Sequence, residues 1–558
     1  MGIFNFFPWL KNTYPSCVEA ISKDSIFRYP VDNFMIDGNC IYHPCTQKVY
    51  GSTGGTLLRS HPPPELDHLE QKCFEYICDT IDSLIKFVRP RKRFVMSSDG
   101  TAPLAKQVQQ RCRRLKSSKE VSAEQRNVFD SNCMTPGTVF MERLSKYIKN
   151  YFENKCNTPQ DSNSVYRNLT IVFTDDTVPG EGEAKLLEYI RLHRRHKRKQ
   201  SWCIYSADAD LIMLALASQE ERFYLLRDNI YQSVSPEYFS VNIKELRSDL
   251  VATVVDIENI SDLTSTQEYT LMNDFIVMCF LAGNDFLPSI PTIDIRDGAI
   301  NLMLKLYRKN NCTLTHYDGN KVLIDWDGLY TFIGVLAAHE QSMINRRVNS
   351  ANYHRCYPLP PLVANTAEDD TKTNLVVDLE GFRGGYYLSK FDIEVADTGS
   401  IQSVVHSFLE GMQWVITYYC NGLSDWGWKY PHHYAPFLKD IRDYIPCYTQ
   451  PSPSQSEPNE PFVQLLSVLP PASKMLVPSP LRYIYEKYPY MYPDDIKVDL
   501  EGKRYEYEGV ILTPFIDTKH LKMEVHKSIN RCTEQEKKRN LTSGNITMYI
   551  NTPIHQCS

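Results

Sequence analysis

A chain of 558 residues with 61 Lys and Arg against 67 Asp and Glu has a formal net charge of −6, so a polyanion must be held by a local cationic surface rather than by overall charge. Sixteen cysteines spread over this length with no CxxC pair argue against a paired-cysteine zinc site and against a disulfide scaffold, and read as reduced thiols of an intracellular protein. No stretch reaches ~18 uninterrupted apolar residues, so no membrane span is expected, and the opening "MGIFNFFPWLKNTYP" lacks signal-peptide anatomy and, with Phe6, the myristoylation pattern.

From about residue 30 to 300, short apolar runs alternate with amphipathic stretches, which predicts an α/β fold with a mainly parallel sheet flanked by helices. The candidate strands are "NFMID" (Asn33 to Asp37), "RFVMSSD" (Arg93 to Asp99), "LTIVFTD" (Leu169 to Asp175) and "WCIYSAD" (Trp202 to Asp208). Each ends at or just before an acid. In a parallel sheet the carboxyl ends of the strands share one edge, where open α/β folds hold their ligands.

The second strand leads into "DGTAPLAKQVQQRCRRLK" (Asp99 to Lys116). At about 100° per residue, Lys106, Gln110, Arg113 and Arg114 share one face of a helix, with Leu104, Val108, Cys112 and Leu115 opposite. The first face is a cationic comb; the second is expected to pack. A solvated basic face is the usual meaning of such a run. A helix that starts beside Asp99, at the acidic sheet edge, has another use: Lys and Arg with a Gln amide supply donors suited to a phosphate.

Further acids recur at the same edge. "VPGEGEAKLLEYI" sets Glu181 and Glu183 in a glycine-bearing turn, "SADADLIMLAL" sets Asp208 and Asp210 between strand and helix, and "FLAGNDFLPSIP" adds Asp285 in another turn. Any one of them could cap a helix. With Asp37 and Asp99 they make seven, and crowded carboxylates repel unless something positive lies among them. Mg²⁺ or Mn²⁺ is the natural counter-charge, and two such ions ~4 Å apart can activate a water and stabilise the leaving oxygen of a displacement at phosphorus. A cationic pocket beside such ions selects nucleic acid by a phosphorylated end, which describes an exonuclease.

The run "RLHRRHKRKQ" (Arg191 to Gln200) reads as a solvated helix end, with a nuclear signal or RNA-guiding surface as the other meanings of such a run. Beyond residue 300 the pattern turns helical, in "DGAINLMLKLYRKN" and "DGLYTFIGVLAAHEQSMINRR". Two proline-bearing polar stretches follow, Pro358 to Asn374 and Tyr448 to Pro461, and read as loops. The expected organisation is a nuclease core at 1–300, a helical extension at 301–350, a variable linker at 351–400, a second region at 401–525 and a polar tail at 526–558.

Several of these strings together resemble the Xrn/Rat-type 5′-to-3′ exoribonucleases. They are "MGIFNFFPWL", "IDGNCIYHPC", "SSDGTAPLAKQVQQRCRR", "FDSNCMTPGTVFM", "VPGEGEAK", "SADADLIMLAL" and "FLAGNDFLPSIPTIDIRDGAI". In the second half "EGMQWVITYYCNGLSDWGWKYPHHYAPF", "LLSVLPPASK" and "YEYEGVILTPFIDTKHL" continue it, so it runs from Met1 to about Leu521. The resemblance implies a PIN/FEN-like nuclease core with a mostly helical second conserved region packed on it. It implies processive, metal-dependent hydrolysis of single-stranded RNA bearing a 5′-monophosphate, decapped or cleaved, to nucleoside 5′-monophosphates. It also implies mRNA degradation, decapping factors as partners and a cytoplasmic location, with the nucleus left open.

Residue by residue, it matches Asp37, Asp99, Glu181, Glu183, Asp208, Asp210 and Asp285 to metal-site acids, and Asp274 in "MNDFIVM" to a further acid of that region. Lys106, Gln110, Arg113 and Arg114 match the 5′-phosphate pocket. His43 matches a stacking histidine, and Trp426, ahead of Trp428, is its expected aromatic counterpart. Ala184 departs from the family's usual His, and Ser206 and Ala207 stand where bulkier residues are common. No Cys and His knuckle occurs between residues 250 and 270, and the compact length suits a viral copy. The rival readings are a flap-endonuclease-like DNA nuclease and an inactive RNA 5′-end-binding factor; the whole-length likeness disfavours the first and the seven retained acids the second.

Overall fold

The structure is a computed structural model and describes residues 3, 5–22, 24–51, 63–120, 129–157, 164–194, 200–229, 236–349, 364–367, 374–493, 495–503, 505–544 and 546–550. Its main sheet contains β1 (Val18–Ile21), β2 (Asn33–Asp37), β3 (Arg93–Ser97), β4 (Thr170–Thr174), β5 (Ser201–Tyr205), β6 (Arg222–Asp228), β7 (Tyr238–Asn242) and a C-terminal strand, Thr547–Ile550. They lie in the order β1, β7, β6, β5, β2, β3, β4, C-terminal strand. The strands from β4 to β6 are parallel, with Phe34 opposite both Phe94 and Cys203. β7, β1 and the C-terminal strand are antiparallel additions at the two sides.

The four strands expected from sequence are all present. β2 and β5 are buried along their whole length, which is why they read as near-continuous apolar runs. Side chains alternate between two cores: Phe34, Ile36, Phe94, Met96, Ile171 and Phe173 point to one face of the sheet, and Met35, Val95, Val172 and Ile204 to the other. The order reverses between β2 and β5, since β2 is followed outward by β3 and β4 and β5 by β6. An open sheet has its ligand crevice at the carboxyl ends of its strands beside such a reversal.

Helix α1 (Phe6–Thr13) buries Phe6 and Leu10 in the core that holds Met35. Helices α2 (Asn39–Thr46) and α3 (Pro63–Val88) flank the other face. The helices Ser265–Phe280, Ala299–Asn310, Trp326–Ala337 and Thr398–Cys420 share the first core with the sheet, so the helical second region is packed on the α/β part. A helix at Pro461–Val468 packs on α4 (Leu104–Glu120).

The expected linker and tail hold defined elements, while the stretch read as a loop at Tyr448 to Pro461 is one up to residue 460. Inside the expected linker, helix Leu379–Phe391 docks firmly: Arg383 forks onto Asp440 (Nε to Oδ2 2.9 Å, Nη2 to Oδ1 2.6 Å), and the Tyr387 hydroxyl donates to the same carboxylate at 2.8 Å. Ala364–Ala367 pairs with Asn374–Val377, while 350–363 and 368–373 lie outside the described residues. The stretch 448–460 has no regular structure, yet Ser454 and Ser456 donate to Asp425 at 2.6 and 2.5 Å and strap the neighbouring turn. Within the expected tail, Thr547–Ile550 pairs with β4, and 551–558 lie outside the described residues. Of the basic run, 195–199 lie outside the described residues. The described cysteines are free, and among the described residues no helix is long and apolar enough to cross a membrane.

Candidate active site

Chain geometry delivers the acids. β2 ends at Asp37, β3 ends two residues before Asp99, and β5 ends three residues before Asp208. Glu183 and Asp210 lie in the first turns of the helices Gly182–Arg194 and Asp210–Ala217, and Asp285 comes from the turn after helix Ser265–Phe280. The last of these helices lies behind the sheet and brings in an acid that no strand could supply. The capping alternative for the aspartate pair does not apply: Ala209 occupies the N-cap position, without a side-chain cap bond.

All seven act on one another. Burial, with the charges of Asp99 and Asp208, pushes Asp37 up to about 8. Burial and Asp285 push Asp210 up to about 7. Burial, with Glu181, Asp208 and Asp210, raises Glu183 well above the carboxylate range against the pull of Lys106. Two glycines permit this crowding. A methyl on Gly182 would lie 2.6 Å from Asp37 Oδ1, and Gly180 takes a φ of +110° that side-chain-bearing residues rarely adopt.

Lys106 stands inside the cluster. Its ammonium lies 2.5 Å from Glu181 Oε2 and 2.9 Å from Asp285 Oδ2, and these carboxylates hold it charged against the cost of burial. Burial works to raise Asp285, but Lys106 draws that carboxyl well below its usual range. Other carboxylates are tied to neutral donors. Asp99 accepts from Gly182 N (2.7 Å) and Asn39 Nδ2 (2.6 Å), Glu181 Oε1 from the Tyr418 hydroxyl (2.8 Å), and Asp210 Oδ1 from Ile3 N (3.0 Å). With the side chains so turned, no three His, Cys, Asp or Glu groups among the described residues converge closely enough to hold a metal ion. The donor set nevertheless suits a hard divalent cation. The Lys106 ammonium acts on four of the seven carboxylates, Glu181, Glu183, Asp210 and Asp285, and the buried Glu183 Oε2 has no hydrogen-bond partner among the described residues.

The cationic residues on α4 adjoin this cluster. Arg114 is buried and its Nη1 donates to Thr135 Oγ1 at 2.6 Å, while burial and the Arg113 charge lower its pKa. Arg113 is exposed, and neither guanidinium forms an ion pair among the described residues. Gln110 is buried with Oε1 unpartnered. Two adjacent guanidiniums are the makings of an anion site. His43 opens to solvent, yet the crowded cleft around its ring, with the charges of Arg113 and Arg114, holds it down to about 4, so the imidazole is neutral near pH 7. Trp426 is half-buried and its carbonyl accepts from Leu104 N at the start of α4 (2.9 Å). Trp428 is instead stacked on Trp414 (4.9 Å, 24°) in the core.

The other side of α4 meets expectation in part, with Leu115 buried against Ile496 and Ile511. Leu104, Val108 and Cys112 are only half-buried, whereas Gln107 and Arg111 are buried. Arg111 explains the inversion: its Nη1 donates to Ser467 O at 3.2 Å, its Nη2 to Met491 O, and its guanidinium faces the Tyr492 ring. This arginine holds the helix in place.

Asp274 is corrected as well. It is fully buried away from the seven, and accepts from the Tyr307 hydroxyl (2.7 Å), Leu314 N (3.0 Å) and the Thr315 hydroxyl (2.6 Å). Its carboxylate is consumed in joining three segments. Asp274→Ala is therefore expected to cost about 2–4 kcal/mol of stability, since it strands buried donors, and to leave the divalent-cation dependence of any activity unchanged. Thermal melting and a cation titration on the variant check both parts.

Some residues of the site escaped sequence reading. Tyr418 reaches Glu181 from a helix more than two hundred positions away, and "TYYC" does not say which tyrosine points inward. Lys185, four residues after Glu181, was legible in principle. Its Nζ donates to Asp175 O (3.0 Å) and Val178 O (2.8 Å), and burial lowers its pKa to about 8 against the charges of Asp99 and Asp176. Arg227 Nη2 donates to Ala207 O (2.8 Å) and so holds the loop carrying Asp208.

Residues 1–229 match the model described as the XRN 5′-3′ exonuclease N-terminus, and residues 267–357 and 361–557 the one described as the Xrn1 helical domain. Human 5′-3′ exoribonuclease 1 is 30% identical over 97% of this chain and 35% of its own length. The Drosophila melanogaster 5′-3′ exoribonuclease 2 homolog is 28% identical over 100% of this chain and 74% of its own. Schizosaccharomyces pombe 5′-3′ exoribonuclease 1 is 28% identical over 97% of this chain and 49% of its own. The chain thus spans about a third of the human relative and about half of the fission-yeast one.

Proposed function

The chain belongs to the XRN 5′-3′ exonuclease family, and on that premise we propose that it degrades 5′-monophosphorylated single-stranded RNA processively from the 5′ end, releasing nucleoside 5′-monophosphates. The observation that carries this reading is the meeting of seven carboxylates with two guanidiniums that form no ion pair among the described residues, at the carboxyl edge of one parallel sheet.

Asp37, Asp99, Glu181, Glu183, Asp208, Asp210 and Asp285 are the groups that would hold divalent cations, two of Mg²⁺ or Mn²⁺. Such ions would supply an activated water and a counter-charge for the leaving oxygen. Arg113, Arg114 and Gln110 bind the terminal phosphate, whose extra negative charge distinguishes it from an internal diester. Lys106, expected in the same pocket, is instead paired with Glu181 and Asp285 and positions them. His43, neutral and open to the cleft, offers a flat face to the first bases, with Trp426 as its counterpart. Stacking without base reading suits a strand that advances one nucleotide per turnover. A cap or triphosphate exceeds the pocket, so the RNA must first be decapped or cut, and decapping factors in cytoplasmic mRNA degradation are the partners this reading calls for.

The test is uniformly labelled RNA with a 5′-monophosphate or a 5′-triphosphate, in Mg²⁺ or in EDTA. Mononucleotides are expected from the monophosphate substrate alone, and none in EDTA. Arg113→Ala with Arg114→Ala is expected to reduce the preference for monophosphate over triphosphate by at least about tenfold, the worth of one charge-assisted hydrogen bond. Unchanged discrimination would make the comb a mere surface, and end-binding without hydrolysis would favour a binding factor.

A further inference from the structure

On the exonuclease reading, each turnover frees a nucleotide that must leave before the next phosphate can advance. The face of α4 that was expected to pack borders a groove of about 250 Å³ that reaches back to Asp285.

The lining of this groove has nucleotide chemistry. Arg113 stands where the two sides of α4 meet, and its charge is felt by both His43 and Asp285. Lys429 lies 4.2 Å above the Phe515 ring, a cation held in place by an aromatic face. Tyr507 is 58% exposed and stacked flat on Tyr505 (5.0 Å, 8°), which makes it a ready platform for a base. Two buried amide atoms of lining residues, Gln109 Oε1 and Asn284 Nδ2, have no hydrogen-bond partner. Polar atoms are rarely buried unpaired without a ligand or water to meet them. The one carboxylate of the lining, Asp285, is already paired with Lys106.

We propose that this groove is the product outlet and binds the released nucleoside 5′-monophosphate in transit, with Arg113 and Lys429 on its phosphate and Tyr507 against its base. Gln109 and Asn284 supply an acceptor and a donor to the ribose hydroxyls or base edge. The volume suits one nucleotide rather than a strand. This inference rests on the exonuclease reading, and deepens it by separating the path of the product from that of the RNA.

The experiment uses the full chain and adenosine 5′-monophosphate as probe. Lys429→Ala with Tyr507→Ala is expected to weaken its binding about tenfold, roughly the worth of one aromatic stack. The same variant is expected to cleave the first nucleotide from pre-bound RNA at the wild-type rate under single-turnover conditions, and to fall behind in every later cycle. Lys429→Arg with Tyr507→Phe, which keeps charge and ring, restores both measurements. Unaltered nucleotide affinity in the alanine variant overturns the proposal. Slowing of the first cleavage as much as the later ones also overturns it, and makes the groove an RNA track. Should the wild-type chain release no nucleotide from any RNA, the exonuclease reading falls, while the affinity comparison still decides whether the groove binds nucleotide.

Discussion

Asp208→Ala is expected to lower nucleotide release from monophosphorylated RNA by at least about a thousandfold, the equivalent of roughly 4 kcal/mol of lost transition-state stabilisation. Asp208 is half-buried at the end of β5 and its charge raises both Asp37 and Glu183. It caps no helix, so its removal takes away no element of secondary structure. In the absence of divalent cation the variant loses a source of repulsion and is expected to be at least as stable as the parent, an instance of activity and stability pulling in opposite directions. Binding of the RNA end, which the proposed function assigns to Arg113 and Arg114, is expected to persist. Melting in EDTA and in Mg²⁺, beside single-turnover hydrolysis, reads all three quantities. A large drop of the melting temperature in EDTA would identify Asp208 as a structural acid.

Lys106→Met has the opposite signature. The ammonium is the central cation between Glu181 and Asp285, so its loss leaves buried carboxylates without compensation. Breaking a buried pair from one side costs about 3–5 kcal/mol. That cost is expected in EDTA and is expected to shrink in millimolar Mg²⁺, because a bound divalent cation stabilises the folded state in which its ligands are assembled. Equal destabilisation in the two buffers would mean that cations do not occupy the space between these carboxylates. Activity is expected to fall as well, since Glu181 and Asp285 lose the group that orients them.

Much of the sheet was readable because local and global preferences agree in it. β2, β3, β4 and β5 each combine an apolar run with an acid at or just beyond the carboxyl end, and burial on both faces leaves little freedom in where they begin. The acids at or after the ends of β2, β3, β4 and β5 gather for the same reason, since parallel strands place their ends together, whereas Asp285 reaches them from the turn after helix Ser265–Phe280. What resisted reading depended on distant partners. The roles of the two sides of α4 turn on carbonyls of Ser467 and Met491, which exist as acceptors for Arg111 only after the chain has folded back over some 350 positions. Asp274 looks like its neighbours in composition and differs only in having Tyr307, Leu314 and Thr315 around it. "SDWGWKYP" offers two tryptophans, and stacking on Trp414 assigns Trp428 to the core. Asp175 and Asp176 follow β4 just as Asp99 follows β3, yet Lys149 and Ser145 hold them in structural bonds.

The pairing of Thr547–Ile550 with Thr170–Thr174 has a consequence for biosynthesis. β4 is an outer strand of the parallel array until this last addition, so its unpaired amides and carbonyls face the solvent on the nascent chain. About 370 residues separate the two, and at ~5–20 residues per second the ribosome takes roughly 20–75 s to supply the cover. Throughout that interval a hydrogen-bonding rim beside an apolar core is open to any extended polypeptide nearby. The nascent protein is therefore open to self-association from the emergence of β4 until Thr547–Ile550 has been made.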